Sequence, residues 1–282
     1  MPRPRITARA AFGLMNPGTL ESSNPFRLRR FHADRHISHC LETEYLDTIS
    51  QLHPGKAFEK RSWDFLTKAG KVEVNSIRGD LFEKACVSTI HATVTIPGRD
   101  YQSRIQWVGI QTFPSNPLVP MLMGVFEHVS EKGFERCPGF FDVYPVIPAD
   151  EDREYFEKEM EQVMKKHGRA YEHLLQGYLK MFQVKEAGTG VGYGVGMAFG
   201  PEEENSKCFQ DAAEAIFKAY FHIVEKRKKE KPTPEQIEEM FKKRAEWVRF
   251  TFTENRFYQG GVMLGVPPES FMLHMLPPLV KF

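Results

Sequence analysis

The sequence predicts an α+β domain built on a largely antiparallel β-sheet. Three observations lead there. Residues 71–129 read as successive strands, in part alternating apolar with polar residues and closed by turn signals, and residues 139–145 as a short strand before a proline. Helical stripes occupy the middle of the chain, near 150–184 and 208–245. The predicted strands cluster instead of alternating one for one with helices, which argues against a parallel βαβ sheet.

In chain order, residues 41–56 predict a short helix ending at Pro54-Gly55. Strands follow from Lys71 to Ile77, from Leu81 through Ile90 to the Pro97-Gly98 turn, and from Ile105 to Phe113. After Pro114-Ser115-Asn116-Pro117 a further extended segment runs from Leu118 to Val129. Asp150-Glu151-Asp152 places carboxylates where they complement a helix N-terminus, and Lys165-Lys166-His167-Gly168 closes that helix. Tyr171–Val184 and Cys208–Lys228 read as amphipathic helices, and Pro234–Ala245 as another with Thr233 as its N-cap. Finally, Trp247-Val248-Arg249-Phe250-Thr251-Phe252 alternates, Gly260-Gly261 breaks it, and a second apolar run ends at Phe282, which together predict a terminal β-hairpin. With no repeat and no low-complexity linker beyond about residue 60, the expectation is one domain at 57–282 preceded by a basic segment at 1–56.

Composition narrows the function. A net charge of +1 on 282 residues supplies no global field for nucleic acid. No apolar run reaches the roughly 18–20 residues of a membrane span. Cys40, Cys86, Cys137 and Cys208 show no CxxC spacing, and the ten histidines form no metal-binding pattern, so no metal is expected. The first 36 residues hold seven arginines, Arg3, Arg5, Arg9, Arg27, Arg29, Arg30 and Arg35, against Glu21 and Asp34. That bias fits a mitochondrial or plastid transit segment, or a disordered basic tail on a cytoplasmic protein.

Residues 188–200 carry glycine at every second position from Gly188 to Gly196, including Gly192 and Gly194. The spacing touches a dinucleotide fingerprint, yet a helix precedes it and an apolar strand follows, the reverse of what that fold needs. A strand stripped of side chains on one face suits a planar ligand or a closely packed helix. Asp142, set among Phe140, Phe141, Val143 and Tyr144 before Pro145, is the sharpest acidic candidate. Desolvation there raises a carboxyl pKa and suits proton transfer or an N–H contact, while a turn cap at Pro145 is the plain structural alternative. Arg256, Arg104 and Arg78 lie beside predicted strands, where a guanidinium can hold a carboxylate bidentately or simply face water. His91, in an alternating strand, reads as a satisfied core histidine, and Lys226–Lys231 as a basic helix end.

Several blocks resemble the oxygen-dependent coproporphyrinogen III oxidases: Leu81-Phe82-Glu83-Lys84-Ala85-Cys86-Val87-Ser88, Ser115-Asn116-Pro117-Leu118-Val119-Pro120, residues 139–145, Ile223-Val224-Glu225-Lys226-Arg227-Lys228 and the C-terminal run. The resemblance implies a flat antiparallel sheet sandwiched between helices, a homodimer, and oxidative decarboxylation of two propionates to vinyl groups with dioxygen as co-substrate and no cofactor. It places the family's aspartate on Asp142 and one of its arginines on Arg256. Arg104 is a further candidate for the propionates, and Gly192 and Gly194 for the macrocycle.

The sequence also departs from that family's pattern. Where the family carries His-x-Asn-x-Arg after its Asn-Pro-x-x-Pro turn, this chain has Met123, Val125 and Glu127, and a histidine before the turn is Phe113. Its His-Arg-Gly-Glu-x-Arg stretch is replaced around Glu186–Gly190. A glutamate in place of an arginine repels a propionate. The expected function is therefore coproporphyrinogen oxidation, or else tetrapyrrole binding, regulation or work on another aromatic substrate by a divergent relative.

Overall fold

The structure, a computed structural model, describes residues 37–95, 100–181, 183–184, 189–190, 196–199 and 205–282. Helix α1 (Ile37–Leu52) leads into strands β1 (Glu59–Asp64), β2 (Gly70–Ile77), β3 (Phe82–Thr95), β4 (Gln102–Pro114), β5 (Met121–Glu131), β6 (Phe134–Arg136) and β7 (Gly139–Tyr144). Helices α2 (Asp150–Lys166) and α3 (Tyr171–Met181) follow, then β8 (Gln183–Val184), β9 (Thr189–Gly190) and β10 (Met197–Phe199). The chain ends in four helices: α4 (Asn205–Arg227), α5 (Pro234–Thr253), α6 (Arg256–Leu264) and α7 (Pro268–Met275).

The strands form one open sheet in the order β1-β2-β3-β4-β5-β7-β10, with β6 paired to β5 and β8–β9 a separate pair. Every pairing is antiparallel. The expected α+β domain with helices on both sides of an antiparallel sheet is the observed fold.

Because side chains alternate across a strand, each strand serves two helical layers at once. One set, including Val87, Val108, Ile110, Leu122, Phe126, Phe141 and Val143, packs with Leu41, Tyr45 and Ile49 of α1, with α2 and with α4. Ala212, Ala213 and Ala219 let α4 lie close to this face, and Phe209 fills the space between Phe126, Phe141 and Phe199. The opposite set, including Trp107, Phe113, Met121, Met123, Val125, Phe140 and Tyr144, meets Tyr178 of α3 and Trp247 and Phe250 of α5. Val72, Val74, Cys86 and Ala92 continue that face under Phe271 and Met275 of α7.

The C-terminal hairpin expected from the alternating run is absent; helices α5, α6 and α7 stand there instead. Helix α5 starts at a capping box, with Thr233 and Gln236 each bonding the other's backbone N–H. Once nucleated, it runs on through the alternating residues. Met240, Arg244, Trp247, Phe250 and Thr251 are its buried stripe, a spacing of three and four, and Phe252 faces solvent. The apparent period of two was an accident of aromatic residues on two sides of a helix. Gly260 and Gly261 are inside α6, where Gly261 lies against Phe271, and the true break is Gly265 at φ 85°.

Candidate functional site

The face covered by α5–α7 carries Lys84, Glu127, Asp142 and His274. Asp142, in the middle of β7, is 0 % exposed and pairs across the sheet with Met123 of β5. Its Oδ1 accepts the backbone N–H of Val143 at 2.7 Å, and the Tyr178 side chain hydrogen-bonds the same carboxyl group. Its Oδ2 is buried with no hydrogen-bond partner among the described residues. Burial raises the Asp142 pKa well above the carboxylate range, and the two hydrogen bonds only partly oppose it. Gly196 closes over the pair: a Cβ there would lie 2.8 Å from both Asp142 Cγ and the Tyr178 ring. Only glycine allows that approach.

A cavity of about 280 Å³ opens on the same face, between β3, β4 and β5 below and α6 above. Ile90, Trp107, Leu264 and Phe271 are among its apolar walls, and Glu127 and Arg256 are its charged residues. Arg256 is the first residue of α6, placed by Asn255, whose side chain accepts from the N–H groups of Phe257 and Tyr258. Glu127 pairs with Trp107 across β4–β5. It keeps some exposed surface, yet the crowding of its carboxyl raises the pKa to about 7, with Arg136 pulling the other way.

A third group fixes the helical cover to the sheet. Lys84, 2 % exposed on β3, donates its ammonium to the carbonyls of Leu273 and Leu276 at the end of α7. Burial lowers its pKa to about 8 and lifts the neighbouring Cys86 thiol to about 11. His274 is buried edge-on to Trp107, and its pKa falls to about 3. Arg244 donates to Pro114 O at 2.8 Å and to Glu83 at 3.0 Å.

The fold separates the residues that the sequence singled out. Asp142 and Arg256 share a face, but the cavity that Arg256 borders does not include Asp142. The Phe140–Val125 pair stands between them, with Phe140 packed on Phe257. Met123 and Glu127 are four residues apart on β5, so the two acids are offset by about 13 Å along the strand. Arg104 is exposed on the other pleat of β4 from Trp107, and Arg78 is exposed after β2. His91 is exposed rather than a core residue. Gly192 and Gly194 lie outside the described residues. Tyr178 and His274 carried no legible signal, since each reaches the sheet only through the folding back of a helix. Glu127 did carry one, because period-two counting along β5 puts it on the face of Met123 and Val125.

Among the described residues, no helix is long and apolar enough to cross a membrane. Cys86, Cys137 and Cys208 are buried free thiols.

These features define an α+β protein with one main antiparallel sheet, two helical layers, and Asp142, Glu127 and a cavity on a single face. The chain belongs to the coproporphyrinogen III oxidase family, whose model matches residues 35–282. One relative, the oxygen-dependent coproporphyrinogen-III oxidase of Francisella philomiragia, is 26% identical over 72% of this chain and 72% of its own. Phytochromobilin synthase from tomato, solved in complex with biliverdin, shares the fold at a TM-score of 0.53 and 9% identity, over 82% of this chain and 78% of that one.

Proposed function

We propose that the protein acts on a tetrapyrrole by the reaction named in its family: oxygen-dependent oxidative decarboxylation of coproporphyrinogen III propionates to vinyl groups. Each step releases carbon dioxide from a propionate and passes two electrons to dioxygen, with no cofactor required of the protein. The observation that carries this reading is Asp142, a buried acid with one oxygen unpartnered among the described residues. Such an oxygen is an acceptor for a pyrrole N–H, and positive charge developing on an oxidised pyrrole beside it would favour ionisation of the buried acid and be steadied by it. Arg256 holds one propionate at the mouth of the cavity, the glycines Gly192 and Gly194 complete the contacts, and the working unit is a homodimer; Arg104, on the opposite face of the sheet, is left out of this site. Membership of the family and the biliverdin bound by a protein of the same fold support a tetrapyrrole as ligand.

A second reading, tetrapyrrole binding without this turnover, is favoured by one observation. Met123, Val125 and Glu127 face α5–α7, so the middle of the site offers two apolar side chains and an acid to a ligand with four carboxylates. Repulsion at a poorly hydrated acid weakens such a ligand.

Aerobic incubation with coproporphyrinogen III, followed by protoporphyrin fluorescence after oxidation, separates the two. Turnover that drops at least about tenfold in Asp142→Asn supports the first reading. An unchanged rate in that variant removes Asp142 from the mechanism. Tight porphyrin binding with no turnover selects the second. Under either reading, Glu127→Arg should tighten coproporphyrin binding about tenfold by exchanging repulsion for attraction.

A further inference from the structure

The cavity beneath α6 holds one acid inside a largely aromatic wall. Glu127 rises from β5 on its floor, directly across the strand pair from Trp107, about 5 Å away between Cβ atoms. Phe65, Trp107, Phe257 and Phe271 bring four aromatic rings to the lining, and Ile90 and Leu264 are further apolar walls. Among the described residues the Glu127 carboxyl makes no hydrogen bond and no ion pair. Arg136 is the charge that acts on it, and that guanidinium is already bound to Glu131 at 3.0 Å. Arg256 stands exposed at the rim and leaves the Glu127 pKa unmoved, so it is too distant to neutralise the acid.

We propose that this cavity binds an organic cation: a primary ammonium group carried on a body the size of one aromatic ring, with Glu127 as its counter-ion and Trp107 among the rings that surround the charge. Carboxylate and ring faces both present negative potential to an ammonium, the first as a charge and the second through the ring quadrupole. The three N–H donors of an ammonium match a carboxylate whose lone pairs have no other partner among the described residues. The apolar body goes to Ile90, Leu264 and Phe271, and a volume of about 280 Å³ takes one ring with a short arm. A carboxylate on the same body meets Glu127 as a like charge and is rejected. The site is independent of both readings of the tetrapyrrole, because it needs neither Asp142 nor turnover.

Binding is coupled to one proton. Burial holds the Glu127 pKa at about 7, so near neutrality the empty cavity holds a mixture of acid and carboxylate. The ammonium takes the carboxylate form, and its arrival expels the proton from the rest. Affinity therefore rises about tenfold from pH 6 to pH 8 and levels off above. The other charged or titratable groups around Glu127 do not share this transition. They are Arg136 of β6, tied to Glu131 of β5, Arg256 of α6 at the rim, and His274 of α7, which packs on Trp107 with its pKa down at about 3. The residues that β3 and β4 bring to the cavity, Ile90, Ala92, Ile105 and Trp107, do not titrate.

Titration calorimetry of the full chain with 2-phenylethylammonium tests the site, with 3-phenylpropionamide as the neutral counterpart and 3-phenylpropionate as the anion. At pH 8 the ammonium should bind at least about tenfold more tightly than the amide, and phenylpropionate more weakly than the amide. At pH 6, titrations in buffers of different ionisation enthalpy should show about one proton released per ammonium bound and none per amide. Glu127→Gln should abolish both the preference for the cation and the proton release while retaining its urea unfolding transition. Equal binding of ammonium and amide, ammonium binding without proton release at pH 6, or an unchanged preference in Glu127→Gln overturns the proposal. So does the absence of ammonium binding up to about 10 mM. A failure of coproporphyrinogen turnover would leave these measurements unaffected.

Discussion

On the α4 side of the sheet, the buried hydroxyls find partners. Tyr45 donates to Gln111 O at 2.8 Å, and Tyr220 meets Thr112 at 2.8 Å and donates to Pro120 O at 3.0 Å. On the α5–α7 side, Ser88 Oγ, Arg136 Nε, Asp142 Oδ2, Arg244 Nε and His274 Nε2 are buried without partners among the described residues, whereas on the other face Gln106 Oε1 is the case among those residues. The first side also forms a single continuous apolar cluster, and the second is divided into two clusters around a cavity. An unpaired buried polar atom costs about 1–3 kcal/mol, so a fold retains several on one surface where something other than stability is served. The difference assigns packing to one layer and chemistry to the other.

The contrast can be broken at its strongest point first. Phe209→Ala, on the packed side, removes the ring that touches Phe126, Phe141 and Phe199, and should destabilise the protein by about 3–5 kcal/mol in urea unfolding. A cost below 1 kcal/mol would mean that this layer is not the rigid one.

Two acid–base tests address the other side. His274 is kept neutral in the fold, with a pKa near 3 against 6.5 unfolded. Between these values the unfolded chain binds the extra proton, so stability falls as pH drops from about 6.5 toward 3, by a few kcal/mol in all. His274→Leu should flatten that limb of a plot of unfolding free energy against pH; an identical slope would clear His274 as its cause. Glu127 behaves in the opposite sense. With a folded pKa near 7 against 4.5 unfolded, the native state binds the proton more tightly, and stability is lost as pH rises from about 4.5 to 7. Glu127→Gln should therefore stabilise the protein by about 1–3 kcal/mol at pH 8 and by nearly nothing at pH 4.5. Loss of stability at pH 8 would instead make Glu127 a structural residue.

The smallest effect concerns the cap of α6. Asn255→Ala removes the acceptor for Phe257 N and Tyr258 N and should cost about 1 kcal/mol. Weakened coproporphyrin binding in the same variant would show that the cap also places Arg256.

Much of the sheet was legible because a strand with one or two buried faces writes its period directly into the chain. Residues 71–77, 105–113 and 139–144 announce β2, β4 and β7, and Pro97-Gly98 and Pro114–Pro117 announce turns. Thr233 announced the start of α5 because capping is a local hydrogen-bond exchange. The C-terminal run misled for a related reason: six residues of alternating aromatics are too few to separate a period of two from a helix that also exposes Phe252, and the helix nucleated at Thr233 decided the matter.

The sequence by itself determined most of the sheet's central strands, though not β1 or β6, and with them the α+β class, the family resemblance and the identity of Asp142 as an acid among aromatic residues, all of which depend on neighbours along the chain. The tertiary structure decided that Asp142 is buried beside Tyr178 and Gly196, that Arg256 borders a cavity that does not include Asp142, and that Glu127 and Trp107 are opposite each other there. Those facts come from helices folding back across the sheet. Desolvation and cavity shape depend on which distant segments exclude water from a group, and local periodicity does not encode that.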